Sequence, residues 1–541
     1  MFEWIARVIR QARRRSGKSP DPSRPGLPPG RAEDRVITSS LEKNRRILRQ
    51  IFDQDEELVF REILIGEQKP VPALVVFIDS LVKADLLQRS LLREVMRVEQ
   101  VPSDAIPWLK EKITSPAEIE QENRWVEITE RISRGYAALF VEGQVEVLVT
   151  KVTVEANRPV SEPINETVTR GPHDAFNEDI YTNLALLRKR LPTSRLGVKK
   201  FSVGEVTKVK VYLVYLKGYV MPGLVEEVTR RIDRVKDKID GITGSGQLEE
   251  FIQDHPYSIF SGIDTTERPD KMASALLEGR AGLIADNTPY SLVLPSPLIA
   301  QIQSPEDYYN RFWFASLLRM LRWFSLLVAF LLPAFYVSIL SYHQELVPTT
   351  LLISIINARE GVPFPSFLEA LIMEVVFEML REAGIRLPKP FGQTISIVGA
   401  VVIGSAAVSA SLVSPAMVVV VALTAIASYT VPSLSLNNNI RVIRFPFMIL
   451  AGALGLFGIM AGLLFMTFHL CSLRTFGVPF LSPLAPLSLG DLKDSLIRVP
   501  NWMMGFRPRL IGYAEPQRQD EGLMPKAPPP RGGPRPEGGR S

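Results

Sequence analysis

The chain has 541 residues, of which 46% are hydrophobic; 63 Lys and Arg against 58 Asp and Glu leave a formal net charge of +5, and there is one cysteine. A balance this near neutral gives no electrostatic footprint for nucleic acid, and a lone Cys471 excludes an internal disulfide. The length allows two or three folded units, and the apolar residues are unevenly shared: several runs within 321–471 are long enough to cross a bilayer.

Residues 1–35 comprise a basic N-terminus and a Pro/Gly linker. MFEWIARVIRQARRRSGK can form a short helix lying on a membrane, with Phe2, Trp4, Ile5, Val8 and Ile9 as its apolar side, or a solvated end. It lacks the apolar core of a cleavable signal, which leaves the following region on the cytoplasmic side. SPDPSRPGLPPGR and the tail 514–541 have the composition of disordered linkers.

Between them, 36–300 contains an internal repeat. ALVVFIDSLVKADLLQRSLLREV, from Ala73, reads as strand, turn and helix; VYLVYLKGYVMPGLVEEVTRRI, from Val211, repeats that order with Asp79 matching Lys217. GYAALFVEGQVEVLV from Gly135 likewise matches GRAGLIADNTPYSLVL from Gly279, as hairpins with turns at Glu142-Gly143 and Asp286-Asn287. Two related α/β subdomains are expected, at 36–160 and 161–300. Neither carries a phosphate-cradling glycine loop or paired Cys or His at metal-ligand spacing, so no enzyme activity, metal or cofactor is expected. His173 and His255, each beside a proline, read as exposed loop histidines.

Residues 301–322 read as an amphipathic junction helix capped by Ser304, with Pro305 first and Asp307 third, running unbroken into the first span. Tyr308, Tyr309, Phe312, Trp313 and Phe314 suit headgroup depth, and Arg311, Arg319 and Arg322 favour a cytoplasmic start. The membrane domain, 323–480, has four long runs, at 323–342, 394–413, 416–436 and 446–470, and four to six membrane segments in all. Cys471, at the edge of the last run, is expected to be buried and inert. A cytoplasmic segment, 481–513, precedes the tail. The fold class is therefore an α/β soluble N-terminal region of two related subdomains followed by an α-helical polytopic membrane domain.

The segment YHQELVPTTLLISIINAREGVPFPSFLEALIMEVVFEMLREAGIRLPKPFGQTISIVGAVVIGSAAVSASLVSPAMVVVVALTAIASYTVPS, with HLCSLRTFGVPFLSPLAP after it, resembles the A-subunit family of spore germination receptors of the GerA type. The resemblance covers about 36–505. It implies the inner membrane of a bacterial endospore, with the N-terminal region on the core side, nutrient-triggered germination, and partner B (transporter-like) and C (lipoprotein) subunits. It also implies a homo-oligomer acting as a nutrient-gated cation channel. Alternatives are a non-conducting receptor or scaffold, or an accessory member that amplifies germination without sensing nutrient.

Within that region EALIMEVVFEMLRE carries four glutamates. Glu374, Glu378 and Glu382 form one helical stripe, with Glu369 pointing away. Exposure to lipid at the bilayer centre would cost several kcal/mol per carboxylate. The stripe is therefore expected to be wet, facing either interfacial water or a vestibule in an oligomer. Thr394, Val398, Val402, Ser405 and Ser409 share one face, suited to lining a pore gated by dewetting or to close packing. Gly452, Gly455, Gly458 and Gly462 allow a neighbouring backbone to approach, within a subunit or between subunits. A full crossing at 364–382 puts Arg381, Arg386, Lys389, Arg441 and Arg444 on the cytoplasmic side but gives five crossings. Four crossings move those arginines outside; an even number with both ends cytoplasmic is preferred.

Overall fold

The computed structural model of the protein describes residues 37–525, less 54, 67, 97, 99–101, 103–104, 113–118, 154–161, 387–403, 489, 512–513 and 521. The N-terminus expected as a surface helix or a solvated end, its linker and most of the tail lie outside the described residues. The first part of the chain builds two five-stranded sheets. The first holds β1 (Leu58–Ile65), β2 (Val71–Ile78), β3 (Ile119–Glu122), β4 (Tyr136–Val141) and β5 (Val147–Lys151), ordered β1-β2-β4-β5-β3. The second holds β6 (Leu196–Val203), β7 (Val209–Leu216), β8 (Asp264–Thr266), β9 (Ala281–Ala285) and β10 (Ser291–Leu294), ordered β6-β7-β9-β10-β8.

Counted from its own first strand, each sheet has the same order, and the register repeats too. Ala73 of β2 pairs with Val141 of β4, and its counterpart Val211 of β7 pairs with Ala285 of β9, both antiparallel. Alternate side chains of β2 enter different cores, Ala73, Val75 and Phe77 on one face and Leu74, Val76 and Ile78 on the other. Strand β7 does the same with Val211, Leu213 and Tyr215 against Tyr212, Val214 and Leu216. Helices cover both faces, which is why these strands are apolar throughout rather than alternating. Each hairpin strand is fed by a helix that stops at a glycine with positive φ, Gly135 at +90° and Gly279 at +99°, a conformation that a Cβ would disfavour.

The two sheets are locked by a buried charge cluster. Backbone pairing between Asp55 and Val198 brings Asp55 under Arg188, whose Nη2 donates to both carboxylate oxygens at 2.9 and 3.0 Å. Ser80 donates to Glu57 at 2.5 Å, and Lys217, the repeat partner of Asp79, donates to the Ser194 carbonyl at 3.4 Å. Burial pushes the Lys217 amine down to about 8, although Asp55 and Asp53 pull the other way.

The remaining chain forms a helical region around one apolar core. Among the described residues two helices are long and apolar enough to cross a membrane, Phe312–Tyr342 and Leu434–Ser472, and Pro415–Tyr429 is a shorter apolar helix. The expected unbroken junction helix is instead two pieces. Glu306–Tyr309 ends at Asn310 and Arg311, both extended, and the lead helix Phe312–Tyr342 starts afresh. The reason is a buried ion cluster that requires the corner. Asp307 accepts from Arg319 (3.1 Å to Nε) and from Arg322 (2.8 Å), while Arg319 also reaches Asp494 at 2.8 Å. Arg319 and Arg322 thus face protein carboxylates rather than headgroups. Tyr308 and Tyr309 are likewise engaged, donating to Asp494 and Asp270 at 2.7 Å each.

The run 416–436 is not one helix either: Pro415–Tyr429 stops before Val431-Pro432, and a new helix begins after Ser433, whose side chain caps Leu436. The run 446–470 is divided as well. Leu434–Ser472 contains Gly455 at φ 63° and ψ −143°, a conformation close to glycine-only. There the chain reverses. A Cβ on Gly458 would strike the Leu450 carbonyl, and one on Gly462 would lie 2.9 Å from Leu450 and 3.1 Å from Phe447, contacts that only antiparallel arms make. Residues 434–454 thus form an outgoing arm and 456–472 a returning arm. The two ends agree: Ser433 bonds Asp264 at 3.2 Å and His469 meets Ser258 at 2.9 Å, so both return to the second sheet. A straight helix of 39 residues would hold them about 55 Å apart. Cys471, at the end of the returning arm, is exposed rather than buried.

Candidate functional site

The helix Ser366–Arg386 carries the glutamate stripe along the side of the outgoing arm. Glu374 is fully buried and accepts from Arg444 Nη1; Glu378 accepts from Arg441 Nη2, with Nε at 2.9 Å from its other oxygen. Glu374 and Glu378 are four residues apart and Arg441 and Arg444 three, about one turn in each case, and the helices run in opposite directions, so both pairs fall in register. Glu382 pairs along its own helix with Arg386 at 2.7 Å and is exposed. The upper two members of the stripe therefore meet arginines within the same chain, where the sequence suggested water. The missing signal was the pairing of two helices separated by about 65 residues; Arg441 and Arg444 are likewise one turn apart but read as loop charges.

Arg444 has a second task. Pro333 in the lead helix has no N–H to bond the carbonyl four residues earlier, that of Ala329, and Arg444 Nε donates to this oxygen at 2.9 Å. One guanidinium, itself buried, thus joins three helices. Glu369, expected to point away from the stripe, is also fully buried: its Oε1 accepts from Ser414 N and Oγ at 2.5 Å each, beneath the start of Pro415–Tyr429, with Arg359 at 3.5 Å.

Of the proposed pore face, Thr394, Val398 and Val402 lie outside the described residues. Ser405 and Ser409 fall on the short helix Gly404–Ser409, both exposed. The glycines serve packing inside the chain. Gly452 abuts Phe367, Gly455 makes the reversal beside Tyr342 and His343, and Gly458 and Gly462 let the hairpin arms close. Among the described residues no group of His, Cys, Asp and Glu could hold a metal ion. His173 is exposed, whereas His255 is half-buried and accepts from Arg474 N at 3.2 Å.

Helix directions follow from the contacts. The lead helix runs away from the sheets and ends where Tyr342 donates to the Gly452 carbonyl at 2.8 Å. Ser366 begins there, 2.8 Å from Ser341, and its helix returns. Pro415–Tyr429 also starts at that far end, beside Glu369, and finishes with Tyr429 under Arg381, 5.2 Å from the ring centroid. At the near end, Ser433 contacts Asp264, which is bonded to Lys271 at 2.8 Å; Lys271 also holds Glu166 at 2.8 Å. Burial works against the Lys271 charge, but Asp264 and Glu166 keep its protonation range above that of an ordinary lysine. Rigid polar contacts thus tie the start of the hairpin to β8.

Residues 46–510 match the family described as Bacillus/Clostridium GerA spore germination protein. The chain is 40% identical to the uncharacterized membrane protein YfkQ of Bacillus subtilis, over 91% of this chain and 96% of that one. It is 39% identical to spore germination protein KA of the same organism (92% and 91%) and 35% identical to spore germination protein GerLA of Bacillus cereus (89% and 97%). Among solved structures, the N-terminal domain of the A subunit of the Bacillus megaterium spore germinant receptor GerK3 is 28% identical, covering 48% of this chain and 96% of that one at a TM-score of 0.38.

Proposed function

Because the chain belongs to the GerA family of spore germination proteins, we propose that it is a multi-pass membrane subunit of a spore germinant receptor. In this reading it sits in the inner membrane of the endospore, with its sheets on the core side, beside B and C subunits. The observation that carries the membrane reading is the direction of the helices. Among the described residues Phe312–Tyr342 and 434–454 lead outward while Ser366–Arg386, Pro415–Tyr429 and 456–472 lead back; because Ser366–Arg386 finishes near the sheets and Pro415–Tyr429 starts at the far end, one further crossing between them would make six and return the C-terminal segment to the sheets. The Gly455 reversal supplies the crossing that makes the count even, and Arg381 and Arg386 then lie toward the side of the sheets as the positive-inside preference requires, while Arg441 and Arg444 are taken up by Glu378 and Glu374 within the bundle. Labelling with a membrane-impermeant maleimide tests it. The native Cys471 should react only from the side of the sheets, and a cysteine at Glu345 only from the opposite side; reaction of both from one side rejects the arrangement.

Channel activity is the first mechanistic reading. A homo-oligomer would place the small-residue face of 394–409 around an axis, with Val398 and Val402 closing it by dewetting, since an apolar constriction cannot satisfy the hydrogen bonds of its waters. Contacts through Asp264, Ser258 and Asp307 would convey movement of the sheets to that helix bundle. Internal pairing of Glu374 and Glu378 favours a second reading, a non-conducting receptor or scaffold, because carboxylates already neutralised by arginine attract few cations. Val402→Ser separates them: spores carrying it should leak cations or germinate without nutrient, with Ile403→Ala as the off-face comparison. Dormant, normally responsive Val402→Ser spores would reject the pore.

A further inference from the structure

The loop 255–259 projects from the second sheet unit at the foot of the returning arm. Its base is clipped firmly. Ser258 Oγ lies 2.9 Å from His469 Nε2 and accepts from Phe260 N at 3.1 Å; His255 accepts from Arg474 N at 3.2 Å. Phe260 is buried against His469 and Phe480, with ring centroids 6.3 and 5.9 Å away. Its tip is not covered: Tyr257 is 101% exposed and Ile259 44%. On the adjoining arm Phe465 (76%) and Phe468 (67%), one turn and one residue before His469, are exposed too.

We propose that Tyr257 and Ile259 form a membrane-docking tip that inserts into the headgroup layer of the bilayer beside the returning arm. This rests on the membrane reading above. The arm's length decides the depth: from Gly455 to His469 is 14 residues, about 21 Å of helix, against a hydrocarbon core of about 30 Å. With the reversal at the far interface, His469 lies within the membrane, about 9 Å short of its near edge, and the loop bonded to it, which leads on toward the sheets, meets the headgroup layer there. Tyrosine, with an apolar ring and a polar end, suits that depth, and Ile259 adds burial without a charge. A second copy of the chain fits less well, since two side chains at a loop tip fall far short of the roughly 800 Å² per partner in a stable protein interface.

The test uses the full chain in phosphatidylcholine vesicles containing lipid spin-labelled near the headgroup. In a Cys471→Ser background, fluorophores are attached at Tyr257→Cys or Ile259→Cys, at Phe465→Cys on the arm, and at Val145→Cys on the β4–β5 turn as the aqueous reference. Tyr257→Cys and Ile259→Cys should both be quenched at least half as strongly as Phe465→Cys, and Val145→Cys hardly at all. Quenching at Phe465→Cys with both loop positions matching Val145→Cys overturns the docking tip while leaving the membrane reading intact. No quenching at any of the four positions rejects the membrane reading itself. Shielding of the loop that appears only at high protein-to-lipid ratio assigns the tip to a second copy and also overturns the proposal.

Discussion

Replacing Arg444 with Met removes the cation from a buried pair and the donor from a buried carbonyl in one step. Glu374 would be left fully buried with no partner charge, a loss of about 3–5 kcal/mol. The Ala329 carbonyl, which Pro333 cannot bond, would add about 1–3 kcal/mol. Together these approach the total stability of an ordinary domain, about 5–15 kcal/mol. Glu374→Gln retains an acceptor for Arg444 but leaves its charge uncompensated, and should cost about 3 kcal/mol. In the double variant neither charge remains, so the combined loss should be smaller than the sum by about 2–3 kcal/mol. Denaturant titration of the purified chain in detergent, followed by tryptophan fluorescence, gives the four stabilities. Single losses that add to within about 0.5 kcal/mol, or an Arg444→Met protein as stable as the parent, would refute the pairing and restore a water-facing stripe.

Gly455→Ala puts a Cβ 2.8 Å from His343 at a backbone conformation that alanine avoids, and should lower stability by about 2–4 kcal/mol; Gly505→Ala, with nothing within 4 Å, should be neutral. Equal thermal midpoints in detergent for these two variants would mean that the chain does not reverse at Gly455. Lys217 titrates near 8 when folded, mainly through burial, against about 10.4 unfolded, so the unfolded chain binds the extra proton between those values and stability rises with pH across that window. Below about pH 8 both states are protonated and the penalty is fully present. Lys217→Met should therefore raise the melting temperature at pH 7 and flatten its climb from pH 8 to 10; an unchanged slope would show that Lys217 is not the group responsible.

The sequence by itself determined the repeat. Matching apolar runs at Ala73 and Val211, and hairpin turns at Gly143 and Asn287, rest on local rules of strand patterning and positive φ, which neighbours in the chain enforce. It also located the apolar helix Phe312–Tyr342, because bilayer thickness sets a length that composition alone reveals, but not the breaks inside the runs 416–436 and 446–470. Which groups satisfy the buried charges was decided only by the tertiary structure. Glu374 and Arg444 are 70 residues apart, and Asp55 and Arg188 are 133; no periodicity connects such pairs. The same limit explains the hairpin. A glycine within an apolar run is consistent with a spanning helix or with a reversal, and Gly455 becomes a turn because Gly458 and Gly462 can press against Leu450 and Phe447 while Ser433 and His469 are both held by the second sheet. Local sequence sets what each segment can form; the burial of polar groups against partners distant in the chain selects which of those forms is adopted.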